Sequence, residues 1–147
     1  MNTGTTCCRV SNIWRTASMA TRHLAVAEVI ALHNEAMLRF KRTAEHVRDE
    51  NALGSAIARS RMAEHYENAD LVRQAALLGA GISQAQAFVD GNKRTALIAC
   101  RVFLSLNGWD LPGVSLEFAR QLELIAERPG ERDAATDDFE AWLRERV

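Results

Sequence analysis

The sequence predicts an all-α fold, a single domain built from five or six helices. Apolar residues recur at intervals of three and four along most of the chain, which is the periodicity of a helix with one buried face. Residues that cap or stop helices stand at the ends of these segments. No segment shows a convincing strand pattern. With 147 residues, 48% of them hydrophobic and 25% charged, the chain has the size and composition of one globular domain.

Residues 1–21 are predicted to be a disordered extension that precedes a domain at 22–147. The first 27 residues contain three arginines and no acid, and serine and threonine are frequent near the start. An organelle transit peptide has a similar composition. An extension from an early start codon, with Met19 as the true start, explains the same pattern. We favour the second interpretation because chain termini are commonly disordered.

The first helix is expected at residues 25–40. Its apolar residues fall at helical spacing, and His33 lies on or beside the same face, where a packed, hydrogen-bonded histidine is the expected role. Residues 41–66 are rich in charge and have one weak apolar cluster, which indicates a short helix with loops around it. The apolar residues of the first helix are Val26, Val29, Ile30, Met37 and Phe40, and those of the second are Leu53, Ala56 and Ile57.

The next helix is expected to be capped by Asn68 and weakened near its end by Gly79 and Gly81. The strongest helical pattern covers residues 95–107, and Asn107-Gly108 is a stop signal after it. The apolar faces of these two helices are formed by Leu71, Ala75, Leu78 and Ile82, and by Leu97, Cys100, Phe103 and Leu104.

Two further helices complete the expected fold. Ser115 is predicted to cap the first and Thr136 the second, and Pro129-Gly130 separates them. Their apolar residues are Phe118, Leu122 and Ile125 in one helix, and Phe139, Leu143 and Val147 in the other.

Charge and cysteine content exclude several classes of function. The formal net charge is −1, from 18 basic and 19 acidic residues, whereas proteins that coat nucleic acid carry a strong basic excess. Direct DNA binding through a helical motif is therefore a weak alternative. Cys7, Cys8 and Cys100 do not form a disulfide framework and show no metal-ligand spacing with the histidines. We expect reduced thiols, a cytoplasmic protein and no membrane span.

The stretch AQAFVDGNKRTALIAC, residues 85–100, has the residues of a phosphate site. Gly91 and Asn92 tolerate left-handed backbone angles, which allow successive N–H groups to converge on an anion at the start of a helix. Lys93 and Arg94 add positive charge, as in other phosphate sites at helix N-termini. Asp90 is a hard oxygen ligand suited to Mg²⁺, and Mg²⁺ would bridge it to phosphate oxygens.

A capped, solvated turn explains the same residues about equally well if spacing alone is considered. A P-loop does not fit, because Lys93 follows Asn92 rather than the required glycine. Phe88 is expected to anchor the loop in the core rather than to stack on a base. On the phosphate interpretation, the ligand is a nucleoside triphosphate with Mg²⁺, held by Gly91 and by the residues Asn92, Lys93, Arg94 and Thr95.

Residues 88–96, FVDGNKRTA, resemble the core signature of the Fic/Doc family in its Doc branch, which runs His-x-Phe-x-Asp-[Ala/Gly]-Asn-Lys-Arg. Weaker similarity extends over about 22–147. The resemblance implies a compact Fic-type helical bundle. It also implies a transferase that moves part of ATP or another nucleoside triphosphate onto a hydroxyl of a target protein. Doc-type members are toxins of toxin–antitoxin pairs that phosphorylate elongation factor Tu, whereas most Fic proteins transfer AMP.

Two positions within the motif favour the Doc branch and phosphoryl transfer. The motif of other Fic proteins has a second glycine at the position of Lys93. It also has a second arginine at the position of Leu97. By the resemblance, Asp90 would bind Mg²⁺, Asn92 would add its side-chain amide, and Lys93 and Arg94 would clamp phosphate. A loop near residues 48–60 would be the flap that positions the target. The inhibitory motif of some Fic proteins is not found, so a separate antitoxin is implied.

Gln86 occupies the position of the family's general-base histidine. A neutral amide cannot take the proton from a target hydroxyl, although it can form hydrogen bonds, and losing a general base typically costs ~10²–10⁴ in rate. The glutamine at position 86 is explained either by an inactivating substitution in an otherwise active toxin or by a natural variant, and we favour the inactivating substitution. The alternatives to a Doc-like phosphotransferase are an AMP transferase of the Fic type and a non-catalytic module that binds nucleotide or a partner.

Overall fold

The all-α prediction is confirmed by a computed structural model that describes residues 20–40, 43, 46–111, 115–127 and 129–147. Most of the predicted extension at 1–21 therefore lies outside the described residues. The described chain contains six α-helices, one 3₁₀ turn and, in place of a sheet, one isolated β-bridge. The helices are α1 (Val26–Arg39), α2 (Glu50–Tyr66), α3 (Leu71–Ala85), α4 (Asn92–Leu106), α5 (Ser115–Ala126) and α6 (Arg132–Arg144), with the 3₁₀ turn at Pro129–Glu131.

Helix α3 is the centre of the bundle and packs against α2, α4, α5 and α6. It is buried at nearly every position from Val72 to Ser83. Gly79 and Gly81 do not weaken its end, as the sequence had suggested, because they provide space for neighbours. A Cβ atom would lie 3.0 Å from the Phe139 ring at the first glycine and 3.1 Å from the Ala56 Cβ at the second. The glycines therefore allow close helix packing, and α3 continues to Ala85.

Several predicted helix boundaries are wrong. Residues 50–66 form one 17-residue helix rather than a short helix with loops around it. Asp70, not Asn68, caps α3 by accepting a hydrogen bond from the Arg73 N–H, and Asn68 has a positive φ of 54° before it. Thr136 lies inside α6, where its hydroxyl donates to the Arg132 carbonyl. The cap predicted at Ser115 concerns a side chain outside the described part of the structure.

Polar contacts join the ends of the bundle. The Asn107 side chain accepts from the Arg22 N–H at 2.8 Å and donates to its carbonyl at 3.0 Å, which attaches the segment before α1 to the end of α4. Arg144 of α6 forms a two-pronged ion pair with Asp70, the residue that caps α3. The hydrogen bond from Arg144, against the opposing effect of burial, holds the pKa of Asp70 below its ordinary value of 3.8.

Candidate functional site

The chain reverses direction between α3 and α4 through residues 86–91. Gln86 ends α3 in the left-handed conformation, with a φ of 52°, and Gly91 precedes α4 with a φ of 82°. Two left-handed residues thus bracket the turn. Helix α4 begins at Asn92, three residues earlier than the sequence predicted, so Asn92, Lys93 and Arg94 are its first three residues.

The Asn92 side chain closes this turn. Its oxygen accepts from the Phe88 N–H at 3.0 Å, and its amide nitrogen donates to the Phe88 carbonyl at 2.9 Å and approaches the Gln86 side-chain oxygen at 3.4 Å. Asn92 as a whole is 9% exposed. The amide that the sequence assigned to phosphate binding is thus used to hold the loop, because a buried amide needs partners for all its polar atoms.

The segment of residues 47–49 forms backbone and side-chain hydrogen bonds with the same turn. Val47 and Phe88 form an antiparallel β-bridge, and the N–H groups of Arg48 and Asp49 both donate to the Ala87 carbonyl, at 2.8 and 3.1 Å. The Arg48 guanidinium donates to the Gln86 carbonyl at 2.6 Å. The loop predicted near residues 48–60 is helical from residue 50 onward, and the role of this region as a flap that positions the target stays a prediction.

The inner side of the turn packs on α1. Phe88 is fully buried, as an anchor would be, and its ring stacks on His33 with 3.8 Å between centroids. His33 is also buried, and its Nδ1 is 2.9 Å from the Thr95 hydroxyl, which confirms a packed, hydrogen-bonded histidine. Burial lowers the pKa of His33 below 6.5, although the Asp90 carboxylate acts in the opposite direction.

The predicted phosphate-binding role of Thr95 is contradicted by this arrangement. Its side chain is 1% exposed and its hydroxyl is paired with His33. The residue therefore connects α4 to α1 beneath the loop, and it does not face the outer surface where Lys93 is exposed.

An open depression of about 370 Å³ lies over the turn and the first residues of α4. The structure thus brings together most of the predicted site residues. Its lining consists of Gln86, Val89, Asp90, Gly91, Asn92, Lys93 and Arg94.

Backbone amides at the base of this depression are arranged for an anion. Thr95 makes the first backbone hydrogen bond of α4, to the Gly91 carbonyl at 2.9 Å, and no side chain caps the helix. The amides of Asn92, Lys93 and Arg94 precede that bond, and the first amides of a helix have no acceptor within it. The Gly91 amide differs, because it donates to the Asp90 carboxylate at 2.8 Å. The amides that suit an anion are therefore those of 92–94.

The two cations have different surroundings. The Lys93 side chain is exposed beside the depression. Arg94 is half-buried, and its guanidinium carbon lies 4.0 Å from the ring centroid of Phe40, which follows the end of α1. Stacking of a guanidinium on an aromatic face is favourable. Phe40 therefore restrains the cation that the motif supplies.

Asp90 is the residue suited to Mg²⁺. It is exposed at the depression, and its carboxylate supplies hard oxygen atoms. Among the described residues, no group of three or more His, Cys, Asp or Glu side chains forms a metal cage. Mg²⁺ is commonly bound by one or two carboxylates together with substrate phosphates.

The Gln86 side chain lies beside Asn92 at one end of the depression. Its amide nitrogen donates to the Ser83 carbonyl at 2.9 Å, and its oxygen is the atom near the Asn92 amide. Both polar ends therefore have partners at the ends of the two helices that the turn connects. Position 86 is exposed, so a side chain there is accessible to a group that enters from solvent.

Sequence reasoning missed Arg48 and Phe40. Arg48 stands in a charge-rich stretch, and Phe40 resembled one more apolar position at the end of a helix. Their proximity to the motif depends on how α1 and the segment before α2 pack against the turn. No local signal in the sequence indicates these contacts.

Comparison with known proteins identifies a family to which the chain is similar. A family model described as "Fic/DOC family" matches residues 23–104, which is more than half of the chain and includes the whole motif. No curated protein matches the chain. Among the described residues, no helix has the length and apolar character required to cross a bilayer.

Proposed function

We propose that this chain, which belongs to the Fic/DOC family and has the fold of a Fic-type transferase, is a Doc-like protein phosphotransferase. It takes a phosphoryl group from ATP and places it on a hydroxyl of a translation factor such as elongation factor Tu. It acts in the cytoplasm as the toxin of a toxin–antitoxin pair and is restrained by a separate antitoxin protein. The chain with Gln86 is impaired in this activity.

The observation that carries the proposal is the depression at the start of α4. It combines the first backbone amides of α4, those of residues 92–94, with the side chains of Lys93, Arg94 and Asp90. A polyphosphate needs several N–H donors and positive charge, and a helix N-terminus supplies both. Mg²⁺ bound at Asp90 would neutralise phosphate charge when the nucleotide is present.

The residues have distinct tasks in such a transfer. The oxygen of the target hydroxyl forms a bond to the γ-phosphorus, the bond from that phosphorus to the β,γ-bridging oxygen breaks, and ADP leaves. Lys93 and Arg94 offset the negative charge that spreads over the phosphoryl oxygens. The proton of the hydroxyl must pass to a base, and position 86 is the family's position for it. Gln86 orients a hydroxyl at most, because its amide is not basic.

Phosphoryl transfer is favoured over AMP transfer by the residue at position 97. Leu97 packs against the hydrophobic core, so this position contributes no second guanidinium to the depression. Lys93 stands at the other position that separates the Doc pattern from the AMP-transferring pattern. In AMP transfer, the hydroxyl would instead attack the α-phosphorus and pyrophosphate would leave.

The test is the substitution Gln86→His. Histidine is among the residues that tolerate a positive φ, so the loop is expected to accept it. Restoring a general base should raise the transfer rate by ~10²–10⁴. Gln86→Asn is the matched control, because it retains a non-basic amide and should stay slow. The measurement is intact mass of purified elongation factor Tu after incubation with ATP and Mg²⁺.

The released nucleotide identifies the chemistry. A gain of one phosphoryl group with release of ADP supports the proposal, whereas a gain of one adenylyl group with release of pyrophosphate establishes AMP transfer. If Gln86→His labels nothing in a whole-cell extract with any of the four nucleoside triphosphates, transferase activity is refuted.

A non-catalytic module that binds nucleotide is the second candidate, and the internally bonded Gln86 side chain favours it. It predicts Mg²⁺-dependent binding of ATP by the chain with Gln86, measured by calorimetry, and no transfer after the histidine substitution. Lys93→Ala should weaken that binding on either proposal.

A further inference from the structure

We propose that Arg48 is a positioning residue for the side chain at position 86, an inference that rests on the proposed function of the depression over the motif. Arg48 lies outside the motif, and it is not part of the lining of the depression. Its effect would therefore pass through the backbone of the turn and not through direct contact with a substrate.

The contact of Arg48 with the turn is short and charged. A guanidinium nitrogen lies 2.6 Å from the Gln86 carbonyl oxygen, although the rest of the arginine is exposed. Hydrogen bonds from a charged donor are stronger than those between neutral groups. The carbonyl belongs to the residue that ends α3, where the negative end of the helix dipole also attracts a cation.

Position 86 needs such support because its backbone is unusual. Gln86 has a φ of 52°, a left-handed conformation that is disfavoured for residues with a Cβ. This conformation sets the direction in which the side chain leaves the backbone, and hence its place beside Asn92 at the end of the depression. A contact that holds the peptide after residue 86 therefore controls where a base at this position would lie.

The segment that presents Arg48 is itself anchored at both ends. Val47 bridges to Phe88, and the amides of Arg48 and Asp49 both donate to the Ala87 carbonyl. Asp49 also caps α2 by accepting from the Ala52 N–H at 3.0 Å. The guanidinium thus starts from a fixed backbone, which is the arrangement expected of a supporting residue around a site that needs accurate geometry.

The experiment uses the Gln86→His chain as parent and adds Arg48→Ala, Arg48→Met or Arg48→Lys. Removing the guanidinium should lower kcat about 10- to 100-fold, because misplacing a reacting group by roughly 1 Å can cost that much. KM for ATP should stay unchanged, because the phosphate-binding amides and Lys93 are untouched. Lysine keeps a charged donor and should recover much of kcat. Arg61→Ala, at an exposed position of α2, is the matched control and should change neither constant.

A second measurement does not need transferase activity. The imidazole introduced at position 86 gives one NMR signal that is absent from the Gln86 chain, and its titration reports its surroundings. A neighbouring positive charge lowers the pKa of an imidazole, so Arg48→Ala and Arg48→Met should raise this pKa, whereas Arg48→Lys and Arg61→Ala should not. Arg48→Met keeps the aliphatic stem and serves if Arg48→Ala does not fold.

The two measurements separate the two proposals. An unchanged kcat together with an unchanged titration in the Arg48→Met chain overturns the role of Arg48. If the Gln86→His chain transfers nothing, the proposed function fails, and the titration alone then decides whether Arg48 controls the surroundings of position 86.

Discussion

The substitution Gly91→Ala tests the packing beneath the motif. Gly91 has a φ of 82°, and an added Cβ would lie 2.8 Å from the Met37 sulfur and 3.4 Å from the His33 Cε1. The first distance is too short for any stable contact, so the buried Met37 side chain or the loop would have to move. The Doc pattern accepts alanine at this position, so a large penalty here would reflect these particular neighbours.

The magnitude follows from two effects. A residue with a Cβ in the left-handed region costs roughly 1–2 kcal/mol, and overpacking a buried site costs typically 1–3 kcal/mol. We therefore expect Gly91→Ala to lower the free energy of unfolding by about 2–5 kcal/mol. Urea unfolding followed by circular dichroism measures this change.

Gly54→Ala is the matched control, with the opposite expected sign. Gly54 lies inside α2, and the nearest atom to an added Cβ is a Val26 methyl at an ordinary 3.9 Å. Replacing glycine by alanine within a helix stabilises it by roughly 0.5–1 kcal/mol. The two substitutions add the same methyl group, so the difference between them isolates the environment of Gly91.

A double-mutant cycle with Met37→Ala separates steric crowding from backbone strain. Met37→Ala removes the sulfur, so Gly91→Ala should cost about 1–3 kcal/mol less in that background. If Gly91→Ala changes the free energy of unfolding by less than about 0.5 kcal/mol, the size of ordinary surface substitutions, the packing described around Gly91 is refuted.

Three other predictions concern the polar contacts. Because the pKa of Asp70 is lowered, its contribution to stability is present above pH 3.8 and is lost as pH falls through the folded-state pKa. Asp70→Asn and Arg144→Ala should each flatten the acid side of the curve of stability against pH, measured by urea unfolding. Because the pKa of His33 is lowered, stability declines as pH falls below 6.5. His33→Asn, which keeps one polar group near the position of Nδ1, should remove that decline. An unchanged slope of stability against pH in this variant would contradict the assignment to His33. Phe40→Leu removes the aromatic face under the Arg94 guanidinium. The lost contact is worth roughly 0.5–1 kcal/mol, so we expect calorimetry to show that the affinity for ATP changes by about two- to fivefold. An identical affinity would show that Phe40 does not act on this cation.

Most of the helices could be predicted because their apolar patterns are local. The apolar faces of α1, α3 and α4 repeat at helical spacing, and this pattern exists before any long-range contact forms. The end of α3 could not be predicted in the same way. Gly79 and Gly81 are unfavourable within an isolated helix, and only the close approach of Phe139 and Ala56 makes them useful.

The motif was visible in the sequence because its residues are contiguous. Asp90, Gly91, Lys93 and Arg94 line one depression, as their spacing at a helix start suggested. The inward position of Phe88 was predicted, but the orientation of Thr95 was not. Thr95 faces inward because α1 places His33 beside its hydroxyl.

The sequence by itself therefore determined the helical class and the nine-residue motif, since periodicity and contiguous spacing are local properties of the chain. Only the tertiary structure decided that the Asn92 amide closes the loop, that Phe40 lies against Arg94 and that Arg48 holds the carbonyl of Gln86. Two of these contacts join residues that are far apart in the sequence, and all three depend on how the loop, α1 and the segment before α2 pack together. The chemistry available at position 86 depends on that packing as much as on the residue that occupies it.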